Sequence, residues 1–295
     1  MLSTALALSI AALVTAVVAL VILEKRYRLL RRRILMLDIA SRASSQMHRW
    51  QFSEHAQRQL AQVGRRPVRP IEFLSEFGED LLLYQLFDAK PDGFFIECGA
   101  HDGFHGSVTY AFEAIGWTGL LVEPVPRTSE MARKLRSGST VVQAVMSKRG
   151  SSGTIKFAEV VTGDRHQNAT RSYVAGRNPP KQVTLSDKTV VRDIPVSTMD
   201  DALASLNPQS VDFAVIDVEG HEMDLFDGFD LERWKPRALM VEEYPPGRRP
   251  ELMNHLASRG YVAVQSIGWN KLFVRRDDEA MMRRCRELQW LRDPI

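Results

Sequence analysis

The chain opens on an apolar run: from Leu2 to Leu23 no charged side chain occurs, and only Ser3, Thr4, Ser9 and Thr15 interrupt it. At about 1.5 Å per residue such a helix covers about 33 Å, one bilayer crossing. Lys25, Arg26, Arg28, Arg31, Arg32 and Arg33 follow directly. A secretory signal carries its positive charge before the apolar run, so this order reads as an anchor, with a cleaved signal as the alternative. The positive-inside rule then puts everything after Leu23 in the cytoplasm, making a single-pass membrane protein. Residues 24–63 lack Pro and Gly, and Leu30, Ile34 and Leu37 recur at helical spacing, which predicts a helical neck. Gly64-Arg65-Arg66-Pro67-Val68-Arg69-Pro70 breaks any helix, because each proline fixes its own backbone and restricts the residue before it. The expected organisation is an anchor at 1–23, a basic neck and linker at 24–70, and one domain at 71–295.

Past residue 70 the apolar pattern alternates between helical and strand signatures. Apolar positions from Phe73 to Phe87 have helical spacing; Pro91-Asp92-Gly93 then turns the chain into the run Phe94-Phe95-Ile96. Further strand runs are Gly119–Glu123, Thr140–Val145, Asp212–Asp217 and Ala238–Glu242, with a closing hairpin from Tyr261–Gln265 and Lys271–Val274. Continuous apolar strands, bounded by turn residues and separated by helical stretches such as Tyr110–Ile115, predict a doubly wound parallel α/β sheet. Thr154–Val160 and Thr189–Pro195 also read as strands. Between them Thr162–Asp187 is rich in Gly, Asn, Arg and Pro without an apolar period, as expected of a lid, a binding loop or a disordered segment.

Charge changes the picture of the partners. Residues 24–70 carry a net +9, so residues 71–295 carry −6 within a total of +3, and an acidic body argues against a nucleic-acid partner. Two cysteines, Cys98 and Cys285, make neither a disulfide framework nor a metal pair and favour a reducing compartment.

The candidate chemistry lies at strand ends, where open α/β sheets bind ligands. Glu97 ends the first strand and runs into Gly99-Ala100-His101-Asp102-Gly103; glycines there let a ligand approach the backbone. Glu123 ends the second strand 20 residues after Gly103, the place from which a carboxylate accepts ribose hydroxyls. A dinucleotide fingerprint would need a glycine where His101 stands, and Asp102 repels phosphate, which disfavours an NAD-dependent oxidoreductase. An adenosine ligand with a cationic sulfonium, S-adenosylmethionine, suits the same acids by Coulomb attraction. His101 and His105 are expected to face solvent and Trp117 and Trp269 to belong to the core.

Three ordered blocks, Phe95–Gly103, Gly116–Pro124 and Ile216-Asp217-Val218-Glu219-Gly220-His221-Glu222, resemble the signatures of FkbM-type methyltransferases, and the likeness extends over nearly all of residues 73–275. The resemblance implies a seven-stranded class I methyltransferase (Rossmann-like) sheet, S-adenosylmethionine as donor and O-methylation of a sugar or other hydroxylated natural product. It implies that Glu97, Gly99, Asp102 and Gly103 line the methionine end, with Ala100, Ser107 and Pro124 beside them, that Glu123 holds the ribose, and that the Gln143–Val145 region, with Ala144, meets the adenine. The chain departs from the family at Val108, usually a polar residue, and at His221, usually a small one.

Methyl transfer to an alcohol needs alignment and a proton acceptor. Asp217 and Glu219 are the expected catalytic groups, with His221 as an alternative base; no metal is assigned, although Glu242 and Glu243 could join Asp217 and Glu219 around a hard cation. Glu243 is otherwise expected at the rim, and Tyr244-Pro245-Pro246-Gly247 as a pocket wall. The expected protein is a membrane-anchored O-methyltransferase whose acceptor is a hydroxylated small molecule, glycan or lipid-linked intermediate; the alternative is a non-catalytic membrane-bound domain of the same fold.

Overall fold

The computed structural model describes residues 20, 23–28, 30, 31, 44–88, 90–161, 170–177, 183, 187–243, 247 and 249–290. The chain divides into two units, residues 1–51 and 52–295. In the first, every described residue is helical and nearly all are exposed. Among the described residues no helix is long and apolar enough to cross a membrane; apart from Leu20 and Leu23, the anchor expected at 2–23 lies outside them.

The second unit opens with helical residues 52–62 (α1). The sequence assigns these to the neck, but Ala56 and Leu60, four apart on one face, are buried in the core of the second unit. Phe52 adds edge-on contacts to Phe73 and Tyr84, each 6.0 Å between ring centres. The proline-rich stretch is strapped down as well: the Val68 amide donates to Ala114 O at 2.9 Å, and Arg69 donates to Leu135 O at 2.8 Å. Residues 52–70, which the sequence assigns to neck and linker, thus pack within the second unit.

The remaining helices and strands follow in chain order. They are α2 (Glu79–Leu86), β1 (Phe94–Cys98), α3 (Tyr110–Ala114), β2 (Thr118–Val122), α4 (Pro126–Leu135), β3 (Ser139–Val142), β4 (Val145–Met146), β5 (Thr154–Val161), β6 (Tyr173–Val174) and β7 (Lys188–Ser197), then α5 (Met199–Leu206), β8 (Phe213–Ile216), α6 (Glu222–Asp227), α7 (Leu231–Trp234), β9 (Ala238–Glu242), α8 (Pro250–Ser258), β10 (Tyr261–Ile267), β11 (Asn270–Arg275) and α9 (Glu279–Glu287).

Seven strands form one sheet in the order β10-β11-β9-β8-β1-β2-β3. Only β11 runs against its neighbours, antiparallel to both β9 and β10. This is a class I methyltransferase-like sheet, with β1 at its centre and the strand order reversing between β1 and β8. Both faces are covered, so alternate strand residues go to different clusters, as the period of two demands. Phe95, Phe213, Val215 and Met240 pack with α1, α2, α3 and α9, whereas Ile96, Ala214, Ile216 and Leu239 pack with α5, α6 and α8. Phe213 anchors the first cluster, its ring 4.8–6.0 Å from those of Phe87, Phe95, Phe112 and Trp117.

The run Thr140–Val145 splits. Gln143 and Ala144 leave the main sheet, and β4 pairs with β7 in a second sheet of order β4-β7-β5-β6. Its spine is the antiparallel β5–β7 pair, eight residues in register from Thr154↔Pro195 to Val161↔Lys188. Within the stretch expected to be irregular, Tyr173 and Val174 add a short edge strand; residues 162–169, 178–182 and 184–186 lie outside the described residues.

Candidate active site

All the sequence-selected acids sit at the carboxyl ends of β1, β2, β8 and β9, but they divide into two sets with different surroundings. The first set belongs to the loop after β1. The Gly99 and Ala100 amides both donate to Val122 O at 3.0 Å, and the Asp217 amide donates to Cys98 O at 3.1 Å, tying the tips of β1, β2 and β8 together. A side chain on Gly99 would place its Cβ 2.0 Å from Asp217 O, and one on Gly103 would come within 2.8 Å of Arg136 Cγ. Both glycines also have positive φ, +86° and +76°. At both positions the missing side chain makes room for the protein's own backbone and Arg136.

Glu97 is likewise consumed by the protein. Its carboxylate accepts from Ser107 Oγ at 3.0 Å, the Val108 amide at 2.8 Å and Thr109 Oγ1. Arg136, fully buried, lies 3.8 Å from Glu97 and donates to Glu113 at 2.8 Å, to Gly103 O at 3.0 Å, to Ser107 Oγ at 3.1 Å and to Thr109 Oγ1 at 2.9 Å. Glu113 also takes donors from Ser139 Oγ, the Gly138 amide and Arg69. Burial would raise the Glu113 carboxyl, but Arg136, Ser139 and Arg69 hold it below its usual range. Ser107 is thus a link inside this network, and the Val108 side chain lies in the core. Asp102 serves the same loop, accepting from the Phe104 and His105 amides and standing 2.6 Å from His105 Nδ1. Burial opposes its charge, yet His101, His105 and these amides keep its carboxyl well below the ordinary value. His101, expected in solvent, is buried at a left-handed φ of +50°.

Glu123, after β2, accepts from the His101 amide at Oε2 (2.9 Å) and from the Val125 amide and Thr128 Oγ1 at Oε1 (2.9 Å each). A carboxylate offers about four acceptor positions. Three are filled, and one on Oε2 remains for a hydroxyl donor. Burial pushes its carboxyl upward against the pull of those donors. Pro124 is half-buried and Ala144 buried near this edge.

The second set lies past β8 and β9. Asp217, Glu219 and Glu242 are all raised, foremost by burial: Asp217 to about 7, with Glu222 next; Glu219 to about 9, with Asp217 and Glu222 next; and Glu242 to about 11, with Asp217, Glu219 and Glu222 next. Asp217 and Glu242 are close enough to share a hydrogen bond, which requires that the pair hold a proton between them. Glu222, fully buried, is held by Arg249 at 3.0 Å. Glu79 adds negative charge to Asp217 from α2 and is fixed by the Phe77 amide at 2.9 Å and by Asn270 Nδ2 at 2.8 Å. Glu219 occupies the turn with φ +51° and Gly220 with φ +88°. Among the described residues no group of His, Cys, Asp and Glu is arranged to hold a metal ion.

His221, expected as an alternative base, is buried, and Glu222 acts on it as it does on these carboxylates. Its Nε2 is 3.3 Å from Ser147 Oγ and its Nδ1 3.4 Å from Asp224, so it joins α6 to the end of β4. Glu243, expected at the rim, is buried and paired with Lys271 at 2.6 Å. Trp117 is in the core as expected, but Trp269 is exposed. Tyr244, Pro245 and Pro246 lie outside the described residues. Sequence reasoning passed over Glu113, Arg136, Glu222 and Glu79. It weighed Glu242 only as a metal ligand, although Glu242 ends β9 much as Glu97 lies one residue from the end of β1 and Glu123 just past β2.

Residues 97–263, more than half of the chain, match the profile of the methyltransferase FkbM domain. No curated protein matches. Similar solved structures include the precorrin-6Y C5,15-methyltransferase of Geobacter metallireducens GS-15, with 10% identity, 66% of this chain and 85% of that one covered, and a TM-score of 0.35. The METTL16 methyltransferase domain shows 14% identity, 67% and 66% coverage and a TM-score of 0.38. A methyltransferase from Geobacter sulfurreducens shows 14% identity, 68% and 80% coverage and a TM-score of 0.34. The profile match, on a seven-stranded sheet of the order described, makes this chain a member of the FkbM methyltransferase family, an S-adenosylmethionine-dependent enzyme.

Proposed function

We propose that the enzyme methylates a hydroxyl of a sugar, glycolipid or other lipid-linked natural product, and that Asp217 takes the hydroxyl's proton. What supports this reading is the set of half-buried acids past β8 and β9: Asp217 hydrogen-bonds Glu242, and burial raises the carboxyls of Asp217, Glu219 and Glu242 alike, which favours one of them taking up a proton. When bound, S-adenosylmethionine supplies an electrophilic methyl on a sulfonium. The chain's own residues then orient the acceptor, exclude water and receive a proton. Asp217 accepts that proton while the Glu242 carboxyl keeps it oriented; Glu219, largely protonated at neutral pH, is a hydrogen-bond donor to the acceptor.

Glu123 fits the ribose through its open acceptor position, and ionised Asp102 supplies negative charge beside the methionine end. Glu97, Gly99, Gly103 and Ser107 build the loop that shapes this end of the site. Glu123→Gln keeps the shape but gives up half of the acceptor capacity, so S-adenosylmethionine affinity is expected to fall about tenfold or more, as for loss of a charged hydrogen bond. Titration calorimetry reads this directly, and equal affinity in the variant and the parent would remove Glu123 from the donor site.

The apolar run 2–23 followed by its arginine cluster supports a single-pass anchor with the enzyme on the cytoplasmic face. An anchored enzyme meets a membrane-borne acceptor at raised effective concentration, and the cations of residues 25–33 add affinity for anionic head groups. Protease outside sealed, right-side-out vesicles should leave the 52–295 unit intact; its digestion would reverse the orientation. The acceptor itself is tested with the full chain in detergent, methyl-labelled S-adenosylmethionine and a membrane-lipid extract. The label should appear as a methyl ether on a sugar, and label in an ester, an amine or no product contradicts the reading.

A further inference from the structure

The second unit exposes two aromatic side chains among its described large hydrophobics, Phe77 at 39% and Trp269 at 43%. They lie together, ring centres 6.3 Å apart and planes at 87°, forming a right-angled corner. Exposed aromatic surface costs free energy in water, and an isolated ring needs no explanation. Two rings fixed at one place beside a cluster of acids do.

Both rings are built into the carboxylate site by their own backbones. The Phe77 amide donates to Glu79 Oε2, whose other oxygen accepts from Asn270, and Asn270 stands opposite Glu242 in the β9–β11 register. The Glu243 amide donates to Trp269 O at 2.7 Å. The ring of Phe77 lies on the backbone of Gly268, where a Cβ would fall 2.1 Å from Phe77 Cδ2. The β10–β11 turn and the segment before α2 thus hold the corner within a residue or two of Glu79, Glu242 and Glu243.

We infer that Phe77 and Trp269 form the acceptor subsite of this enzyme, a stacking corner for the apolar C–H face of a pyranose ring whose hydroxyls turn toward the carboxylates. This rests on the sugar-hydroxyl reading above. A sugar ring is amphipathic: its faces carry C–H groups and its rim carries hydroxyls. A fixed aromatic surface beside buried acceptors is the complementary arrangement. Glu79 keeps one acceptor position on each oxygen, and Glu76, exposed in the same turn, adds another carboxylate.

The test uses the full chain in detergent, methyl-labelled S-adenosylmethionine and increasing amounts of membrane-lipid extract, followed by acid hydrolysis to locate the label. Trp269→Ala is expected to raise the apparent KM for extract tenfold or more while leaving S-adenosylmethionine affinity unchanged; Trp269→Phe, which keeps a ring, recovers most of the loss. Label on the monosaccharide with an unchanged KM in Trp269→Ala overturns the subsite while leaving the sugar reading intact. Label on a non-sugar product overturns the sugar reading, and with it a pyranose in the corner, whatever Trp269→Ala does to KM. An equal loss of S-adenosylmethionine affinity in Trp269→Ala shows a role in folding or donor binding and also overturns the subsite.

Discussion

Arg136→Ala is expected to lower the thermal midpoint by about 6–20 °C, because removing one partner of a buried charge set costs about 3–5 kcal/mol and a domain of this size loses about 2–4 °C per kcal/mol. Arg136 is fully buried, and Glu113 and Glu97, both buried, depend on its charge. The variant takes from Glu113 its buried cation, unpins Ser107 and Thr109, and empties the space that Gly103 leaves open. Arg69→Ala is the comparison. It removes only the outer partner, so Glu113 retains Arg136, and the midpoint should move by less than half as much. Thermal denaturation of both variants decides the matter; a midpoint for Arg136→Ala within about 2 °C of the parent would mean that the network does not hold the loop after β1.

Asp217→Asn is expected to lower the rate of methyl transfer by about 10²- to 10⁴-fold, the usual contribution of a positioned general base. Asparagine keeps the size and a carbonyl oxygen for the Glu242 hydrogen bond but cannot take a proton. S-adenosylmethionine affinity should stay within about twofold, since the donor-loop carboxylates are untouched. Glu242→Gln separates the two members of the pair: with Asp217 as the proton acceptor, an amide at 242 that still donates to Asp217 should cost less than about tenfold. If Glu242→Gln were the more damaging change, the proton acceptor would be Glu242.

Much of this architecture is legible in the sequence because parallel strands buried on both faces leave unbroken apolar runs. Phe94–Ile96, Asp212–Asp217 and Ala238–Glu242 became β1, β8 and β9 with little change, and the final hairpin appeared as β10 and β11. What stayed hidden was pairing at a distance. Nothing local distinguishes Arg136, at the end of an ordinary charged helix, from a solvated arginine; its partner Glu113 is 23 residues away and meets it only once β1, β2 and β3 are side by side. The same holds for the neck boundary, since the periodicity of residues 52–62 shows a helix but not the core it joins. In the site, spacing identified which acids end strands but not what each carboxylate accepts. Glu97 and Glu123 look equivalent in the sequence, yet the donors from Ser107, Val108 and Thr109 commit one to structure while the other keeps an open position. Tryptophan usually belongs to the core, but the turn beyond Ile267 carries Trp269 outward.

The proton-transfer role of the strand-tip carboxylates is tested most directly by the pH dependence of single-turnover methyl transfer in the parent and in Asp217→Asn, with S-adenosylmethionine saturating. Burial first, then Glu222, raise the Asp217 carboxyl to about 7. Its proton-accepting form therefore grows as pH rises: the parent rate should climb about tenfold per pH unit below 7 and level above it, and Asp217→Asn should be slow and flat across the same range. A flat profile in the parent, or the same rise through neutrality in Asp217→Asn, would contradict the account.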